Sequence, residues 1–280
     1  MESSENVEAG KGKAPDPALA SSMRKRRRQL IVVAGGIGIL IACLAIAHFT
    51  YNSIMNARLL RAEADALPNR TPLVRFAVAE AAPVYAHYCA ECHGRDLQGN
   101  SQLGAPNLTD QDWIYGQGRI AEIEQTITYG IRSHNPRSRD LADMPGFAKA
   151  NPDARVKMNS LSPPQIDDLV SYLFSLEKRG PKDGAASRGE ALFSGAGGCF
   201  DCHGNDAMGD SYVGAVNLTD NIWLYGDGSA SSVFRSIAKG REGVCPAWSG
   251  KIPPAEIRAL AVYVYAHSHT AKPRTSGGRS

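Results

Sequence analysis

The longest apolar stretch of the chain covers residues 30–50, where nearly every side chain is apolar. At about 1.5 Å per residue, a helix of this length spans the roughly 30 Å hydrocarbon core of a bilayer. Five consecutive basic residues, 24–28, precede it, and the positive-inside rule therefore predicts a cytoplasmic tail at 1–29. A cleaved signal peptide is the alternative, because Ala45-Ile46-Ala47 resembles a cleavage site. Both interpretations place the remaining chain outside the cytoplasm.

Two later segments, 164–176 and 254–265, have apolar residues at helical spacing. Each opens with a proline, Pro164 or Pro254, at an early helical position, where proline is favoured. Strand signals are few. Between the two segments, residues 177–187 have the glycine-rich and charged composition of a linker. The pattern predicts an all-α fold.

A long-period internal repeat organises the chain after the apolar stretch. The string Asn-Leu-Thr-Asp, followed by Trp and Tyr-Gly, occurs at 107–116 and again 110 residues later at 217–226. Such a repeat indicates two tandem copies of one domain. We predict domains at 75–178 and 187–270, linkers at 51–74 and 179–186, and a disordered tail at 271–280.

Each copy begins with a Cys-x-x-Cys-His motif. Two thiols at this spacing can each form a thioether with one vinyl group of a haem, and the following histidine can then ligate the iron. A disulfide or a zinc site is the alternative for a single motif, but two motifs in one repeat favour two covalently attached c-type haems. The predicted attachment residues are Cys89, Cys92, Cys199 and Cys202, and the predicted proximal ligands are His93 and His203.

Domains of roughly 90–100 residues are short for a purely proteinaceous core. A haem in the centre of each domain would complete that core. We therefore expect one transmembrane helix followed by two domains like class I cytochrome c, in which helices and long loops surround a flat cofactor.

The first copy offers Met144 as the distal iron ligand. It precedes a proline and lies 51 residues after His93. A thioether ligand would complete His/Met coordination, which raises the haem potential. Met158 is the nearby competitor.

The second copy has Cys245 at the equivalent position, 42 residues after His203. A thiolate ligand would stabilise ferric iron and lower the potential. Two alternatives stay open: a five-coordinate or water-bound iron, and ligation by another group such as Lys251 or His267. From the order of the motifs we expect each distal ligand to serve the histidine of its own copy.

Charge adds information only at the N-terminus. Residues 1–28 hold seven basic and four acidic residues, which accounts for the whole net charge of +3. The rest is formally neutral, so nothing indicates nucleic-acid binding.

The chain resembles the diheme subunit (CcoP or FixP) of cbb3-type cytochrome c oxidases in four features. These are the haem motifs, the Asn-Leu-Thr-Asp strings, Asp-Met-Pro-Gly-Phe at 143–147 and the helix after Cys245-Pro-Ala-Trp. The resemblance covers about residues 75–268. It implies an electron-transfer subunit of the bacterial inner membrane, single-pass, with its haem domains in the periplasm. Such a subunit accepts electrons from a cytochrome c-type donor and passes them through two haems to a haem–copper oxidase. Its partners would be the other oxidase subunits, and no catalysis is expected from this chain alone.

The chain departs from the family pattern at Cys245, where the family has Met, and in its membrane segment, which lacks the family's Trp-rich character. Two alternatives follow: a stand-alone tethered shuttle or dehydrogenase cytochrome subunit, and an enzyme with a Cys-ligated haem of the thiosulfate-oxidising type. The latter needs a basic pocket, for which Arg235, Lys239 and Arg241 are the candidates; we expect these to form a solvated helix face.

Overall fold

The computed structural model describes residues 17–149 and 159–270, with side chains from residue 21 to 269 within these ranges. The chain divides into two compact units between Ile54 and Met55. Helix α1 (Pro17–Arg61) runs through that division. Its most apolar window has a mean hydropathy of 2.8, and by length and composition α1 is the one described helix that could cross a membrane.

Helix α1 extends eleven residues beyond the predicted boundary at 50. A 3₁₀ helix (Ala64–Asn69) follows, and α2 begins at Thr71, so the predicted linker at 51–74 is largely helical. The predicted tail at 271–280, Met158 and residues 1–16 of the predicted cytoplasmic segment lie outside the described residues.

The second unit carries eight further α-helices in its described part, and only isolated β-bridges connect its loops. From the first repeat come α2 (Thr71–Tyr88), α3 (Ala90–His93), α4 (Ile120–Tyr129) and α5 (Pro163–Leu176). From the second come α6 (Gly184–Phe193), α7 (Phe200–His203), α8 (Ala230–Lys239) and α9 (Pro254–Thr270). The all-α prediction is confirmed.

Local sequence explains where several helices begin and end. The Gln165 side chain accepts a hydrogen bond from the Ser162 amide at 2.8 Å, and Pro163 starts α5. The Asp183 carboxylate accepts from two amides of α6. Helices α4 and α8 both end at a glycine, Gly130 or Gly240, with φ near +75°, a conformation that other residues adopt only with strain.

The C-terminal helices of the two repeats are exchanged. Helix α5 packs against α6 and α8, whereas α9 packs against α2 and α4. Two separate cores result. We name each core after the Cys-x-x-Cys-His motif beside it, the first or the second along the chain. The first-site core contains buried residues of α2, α4 and α9, among them Phe76, Ile123 and Leu260. The second-site core contains residues of α5, α6 and α8, among them Leu169 and Phe193.

Polar contacts follow the same exchange. The Arg258 guanidinium of α9 pairs with the Glu124 carboxylate of α4 and donates to the Ala62 carbonyl at 3.0 Å. The Trp248 amide donates to the Ile127 carbonyl of α4, and in the other half the Phe147 amide donates to the Ile237 carbonyl of α8. Each of the two cores therefore combines helices from both predicted segments, 75–178 and 187–270.

A short connection gives the physical reason. Only residues 177–183 separate α5 from α6, and helices joined by so short a segment pack as neighbours. Gly189 allows the close approach, since a Cβ there would lie 2.1 Å from the Asp168 carbonyl oxygen. Once α5 occupies the second site, α9 is left to close the first.

Candidate functional site: two Cys-x-x-Cys-His motifs on one cavity

Each haem motif forms a single helical turn, α3 in the first repeat and α7 in the second. The longer helix that comes before it is α2 or α6. Cys89 lies at the C-terminal end of α2, and its carbonyl oxygen accepts a hydrogen bond from the His93 amide at 2.9 Å. The Cys199 carbonyl oxygen accepts from the His203 amide at the same distance. The turn brings the two thiols of a motif to one side. Gly94 then ends α3 with φ +77°.

Both histidine rings are oriented by a backbone carbonyl. The Nδ1 atom of His93 lies 3.1 Å from the Pro106 oxygen, and that of His203 lies 2.9 Å from the Val216 oxygen. A proton on Nδ1 donates to each carbonyl, so that Nε2 keeps its lone pair for a metal ion. Burial lowers the pKa of both histidines, against a smaller opposing effect of these hydrogen bonds. Neutral imidazole is the form that binds a metal.

The thiols lie in apolar surroundings. Burial raises the pKa of Cys89 to about 12 and of Cys199 to about 11. At neutral pH both are therefore protonated thiols, the form in which an S–H group can add across a vinyl double bond.

One cavity of about 610 Å³ adjoins both motifs. Its wall is largely apolar, and two indole nitrogens of that wall, Trp113 Nε1 and Trp223 Nε1, are buried without a hydrogen-bond partner in the described structure. An unpaired buried donor costs about 1–3 kcal/mol. The cavity thus fits a large, flat, apolar group that also carries acceptor oxygens, as haem c does with its two carboxylates.

The distal candidates lie opposite the other repeat's motif, and the pairing expected from their order is wrong. Cys245 lies near the first motif: burial, and after it the neighbouring Cys92, raises its pKa to about 11. Met144 packs against the second-site core together with Cys199. The reason is the exchange of α5 and α9, since each distal loop leads into the helix that closes the opposite site.

Backbone hydrogen bonds fix the loops that contain Met144 and Cys245, which we call the distal loops. Ile131 and Cys245 exchange hydrogen bonds of 2.9 and 3.0 Å, and Met144 and Arg241 exchange hydrogen bonds of 3.1 and 2.9 Å. Each pair joins one repeat to the other. The distal loops are therefore held by β-bridges between the two repeats.

Two tyrosines and an arginine also line the cavity that adjoins both motifs. Tyr225 packs on Gly104 and Tyr115 packs on Gly214, so closely that a Cβ on either glycine would lie about 2 Å from the ring. The Arg241 guanidinium lies 4.3 Å from the centre of the Tyr225 ring and donates to the Ser236 hydroxyl. Arg241 is thus half-buried, and our expectation of a solvated side chain is wrong for this residue.

The family model described as cytochrome c oxidase, cbb3-type, subunit III matches residues 76–173 and 184–264. The chain belongs to that family. It is 39% identical over 194 residues to the FixP subunit of a Bradyrhizobium species, covering 69% of this chain and 62% of the relative. It is 37% identical over 211 residues to FixP of Azorhizobium caulinodans, covering 75% and 66%. It is 36% identical over 229 residues to CcoP of Rhodobacter capsulatus, covering 79% and 72%.

Membership of the cbb3-type subunit III family agrees with tandem cytochrome c domains and with binding of haem c. The matched segment spans about three fifths of the first FixP relative's length. Both matched regions include a Cys-x-x-Cys-His motif and, towards their C-terminal ends, the helix that the fold exchanges.

Proposed function

We propose that this chain is a membrane-anchored electron-transfer subunit of a cbb3-type oxidase, carrying two c-type haems. One observation supports it most: both Cys-x-x-Cys-His motifs line the same cavity. Haems held by the two motifs would share one cavity, an arrangement suited to electron exchange between them. Bound haem would supply one-electron chemistry between ferric and ferrous iron.

The chain's own residues would hold the two groups as follows. Cys89 and Cys92 anchor the first haem and Cys199 and Cys202 the second, through thioether bonds. His93 and His203 would each supply an imidazole ligand to the iron, with ring orientation set by their carbonyl partners. Cys245 faces the first centre and Met144 the second. A thiolate at the first site would give it the lower potential of the two.

Helix α1 is proposed as the single membrane anchor, with residues 1–29 cytoplasmic and the haem domains in the periplasm of a bacterial inner membrane. Its length, its apolar composition and the basic residues 24–28 support this orientation. The electron donor would be a cytochrome c-type protein, and the acceptor a haem–copper subunit of the oxidase.

The assembly is tested by mild solubilisation and capture of the tagged full chain. We expect b-type haem in stoichiometric amount, a CO-reactive high-spin signal and oxygen uptake. Only two c-type haems with no b-type signal would contradict the oxidase assignment and leave the tethered shuttle. Reduction of the protein by thiosulfate would instead support the Cys-ligated enzyme, for which the position of half-buried Cys245 beside the first motif is the relevant observation.

The ligands are tested separately. Met144→Ala should abolish the charge-transfer band of Met-ligated ferric haem, whereas Met208→Ala, which changes an exposed methionine five residues after His203, should leave it unchanged. Cys245→Ala should remove the thiolate signature without affecting that band. Persistence of both signatures in these variants would refute the ligand assignment.

A further inference from the structure

One arginine joins both distal loops, and sequence reasoning gave it no role. The Arg132 Nε donates to the Gly243 carbonyl at 2.7 Å, and its Nη1 donates to the Ala142 carbonyl at 3.0 Å. The same Nη1 donates to the Tyr115 hydroxyl at 3.2 Å. The planar guanidinium is thus fixed by three acceptors from three different segments of chain.

The two carbonyls occupy equivalent places. Ala142 is two residues before Met144, and Gly243 is two residues before Cys245. A single side chain of the first repeat therefore holds the loop of each distal residue. Loss of that side chain would release both loops, although they serve different centres.

The backbone at Arg132 supports this role. Its φ is +47°, a region that non-glycine residues rarely adopt. Such a conformation persists where surrounding contacts impose it, and it is common at functional sites. The preceding residue, Ile131, forms the β-bridge with Cys245. Side chain and backbone of this turn thus act on the same loop.

At the repeat offset of 110 residues the second repeat has Glu242, an exposed acid, in place of Arg132, and its own cavity-lining arginine, Arg241, stacks on Tyr225 instead of joining the two loops. None of the ion pairs in the described part of the chain includes Arg132. Its guanidinium also lines the cavity that adjoins both motifs. A positive charge beside both centres favours the reduced form of each, because it opposes the extra charge of the ferric state.

We propose that Arg132 is a positioning residue that holds the Met144 and Cys245 loops together and places one cation beside both redox centres. The loop-holding part rests on the described contacts alone. The effect on the centres rests on the proposed function.

The first test is amide hydrogen exchange on the solubilised full-length holoprotein. Arg132→Met should speed exchange at the Met144 and Cys245 amides, both of which donate across the bridges, by about tenfold or more for each lost charge-assisted hydrogen bond. Arg137→Met is the control, since Arg137 belongs to the same loop but stacks on Tyr129. Faster exchange at only one amide, or an equal effect of Arg137→Met, would refute the proposal that Arg132 holds both loops, which we call the clamp.

The second test is redox titration of the same variants. Arg132→Met should lower the midpoint potential of both centres and speed imidazole binding to both. Arg132→Lys, which keeps the charge but not the three-way contact, should restore the potentials and leave imidazole binding fast. If Arg132→Met prevents folding, Arg132→Lys still provides the exchange and imidazole readouts, and Arg132→Gln, which removes the charge but keeps an N–H donor, provides the potential.

The outcomes separate the two levels of inference. Unchanged potentials together with faster exchange of both amides would retain the clamp and refute the cation effect. Slow exchange in Arg132→Met would refute the clamp itself, while the ligand signatures of Met144→Ala and Cys245→Ala report independently on the proposed function.

Discussion

Because the helices are exchanged, a mutation in the C-terminal helix of one repeat should destabilise the site formed by the Cys-x-x-Cys-His motif of the other repeat. Leu260 belongs to α9 of the second repeat, yet it is 1% exposed in the first-site core and lines the cavity. Its counterpart Leu169 on α5 is 2% exposed in the second-site core. Truncation of either leucine to alanine removes similar buried surface, so the two variants form a matched pair.

A buried Leu→Ala substitution costs about 2–5 kcal/mol, through lost transfer free energy and the cavity left behind. For a unit of roughly 150–250 residues each kcal/mol lowers the melting temperature by about 2–4 °C. We therefore expect a fall of roughly 4–20 °C for the affected site. The full chain is melted in detergent in its oxidised form, while the absorption signals of the thiolate-bound and methionine-bound centres are recorded separately.

Leu260→Ala should lower the melting temperature at the centre with Cys245 more than at the centre with Met144, and Leu169→Ala should do the reverse. If Leu260→Ala mainly weakened the Met144 centre, the helices would not be exchanged, and the packing argument would be refuted.

Three further results are expected. Gly189→Ala should destabilise the α5–α6 pair by about 1–3 kcal/mol in denaturant unfolding, because its Cβ would overlap a carbonyl. Gly184→Ala should be close to neutral, because a Cβ there would make only an ordinary contact, at 3.7 Å, with the end of the flexible Arg188 side chain. Arg258→Ala removes an ion pair and two carbonyl contacts and should cost roughly 1.5–3 kcal/mol in the same assay, against little change for exposed Arg235→Ala. Trp223→Phe should lower the midpoint potential of the second centre by on the order of 10–50 mV in a redox titration, since the indole N–H would no longer offset a cofactor carboxylate; an unchanged potential would assign this indole to packing alone.

Much of the site could be predicted from sequence because its chemistry depends on local spacing. A Cys-x-x-Cys-His motif forms its turn from five consecutive residues, so the positions of Cys89 and His93 follow from the motif alone. The repeat likewise revealed equivalent positions, including Trp113 and Trp223. Only the tertiary structure showed that their indole N–H groups are buried in the cavity wall without a hydrogen-bond partner.

The sequence by itself determined the helical class, the two haem-attachment motifs, the apolar segment and the candidate distal residues Met144 and Cys245. Only the tertiary structure decided which distal residue faces which motif. The physical reason is that two repeated helices, α5 and α9, can satisfy the same apolar surfaces, and repeat similarity does not distinguish between them. The short α5–α6 connection and the close approach at Gly189 determine the choice. The role of Arg132 was likewise visible only in the tertiary structure, since its two carbonyl partners, Ala142 and Gly243, lie on loops of different repeats.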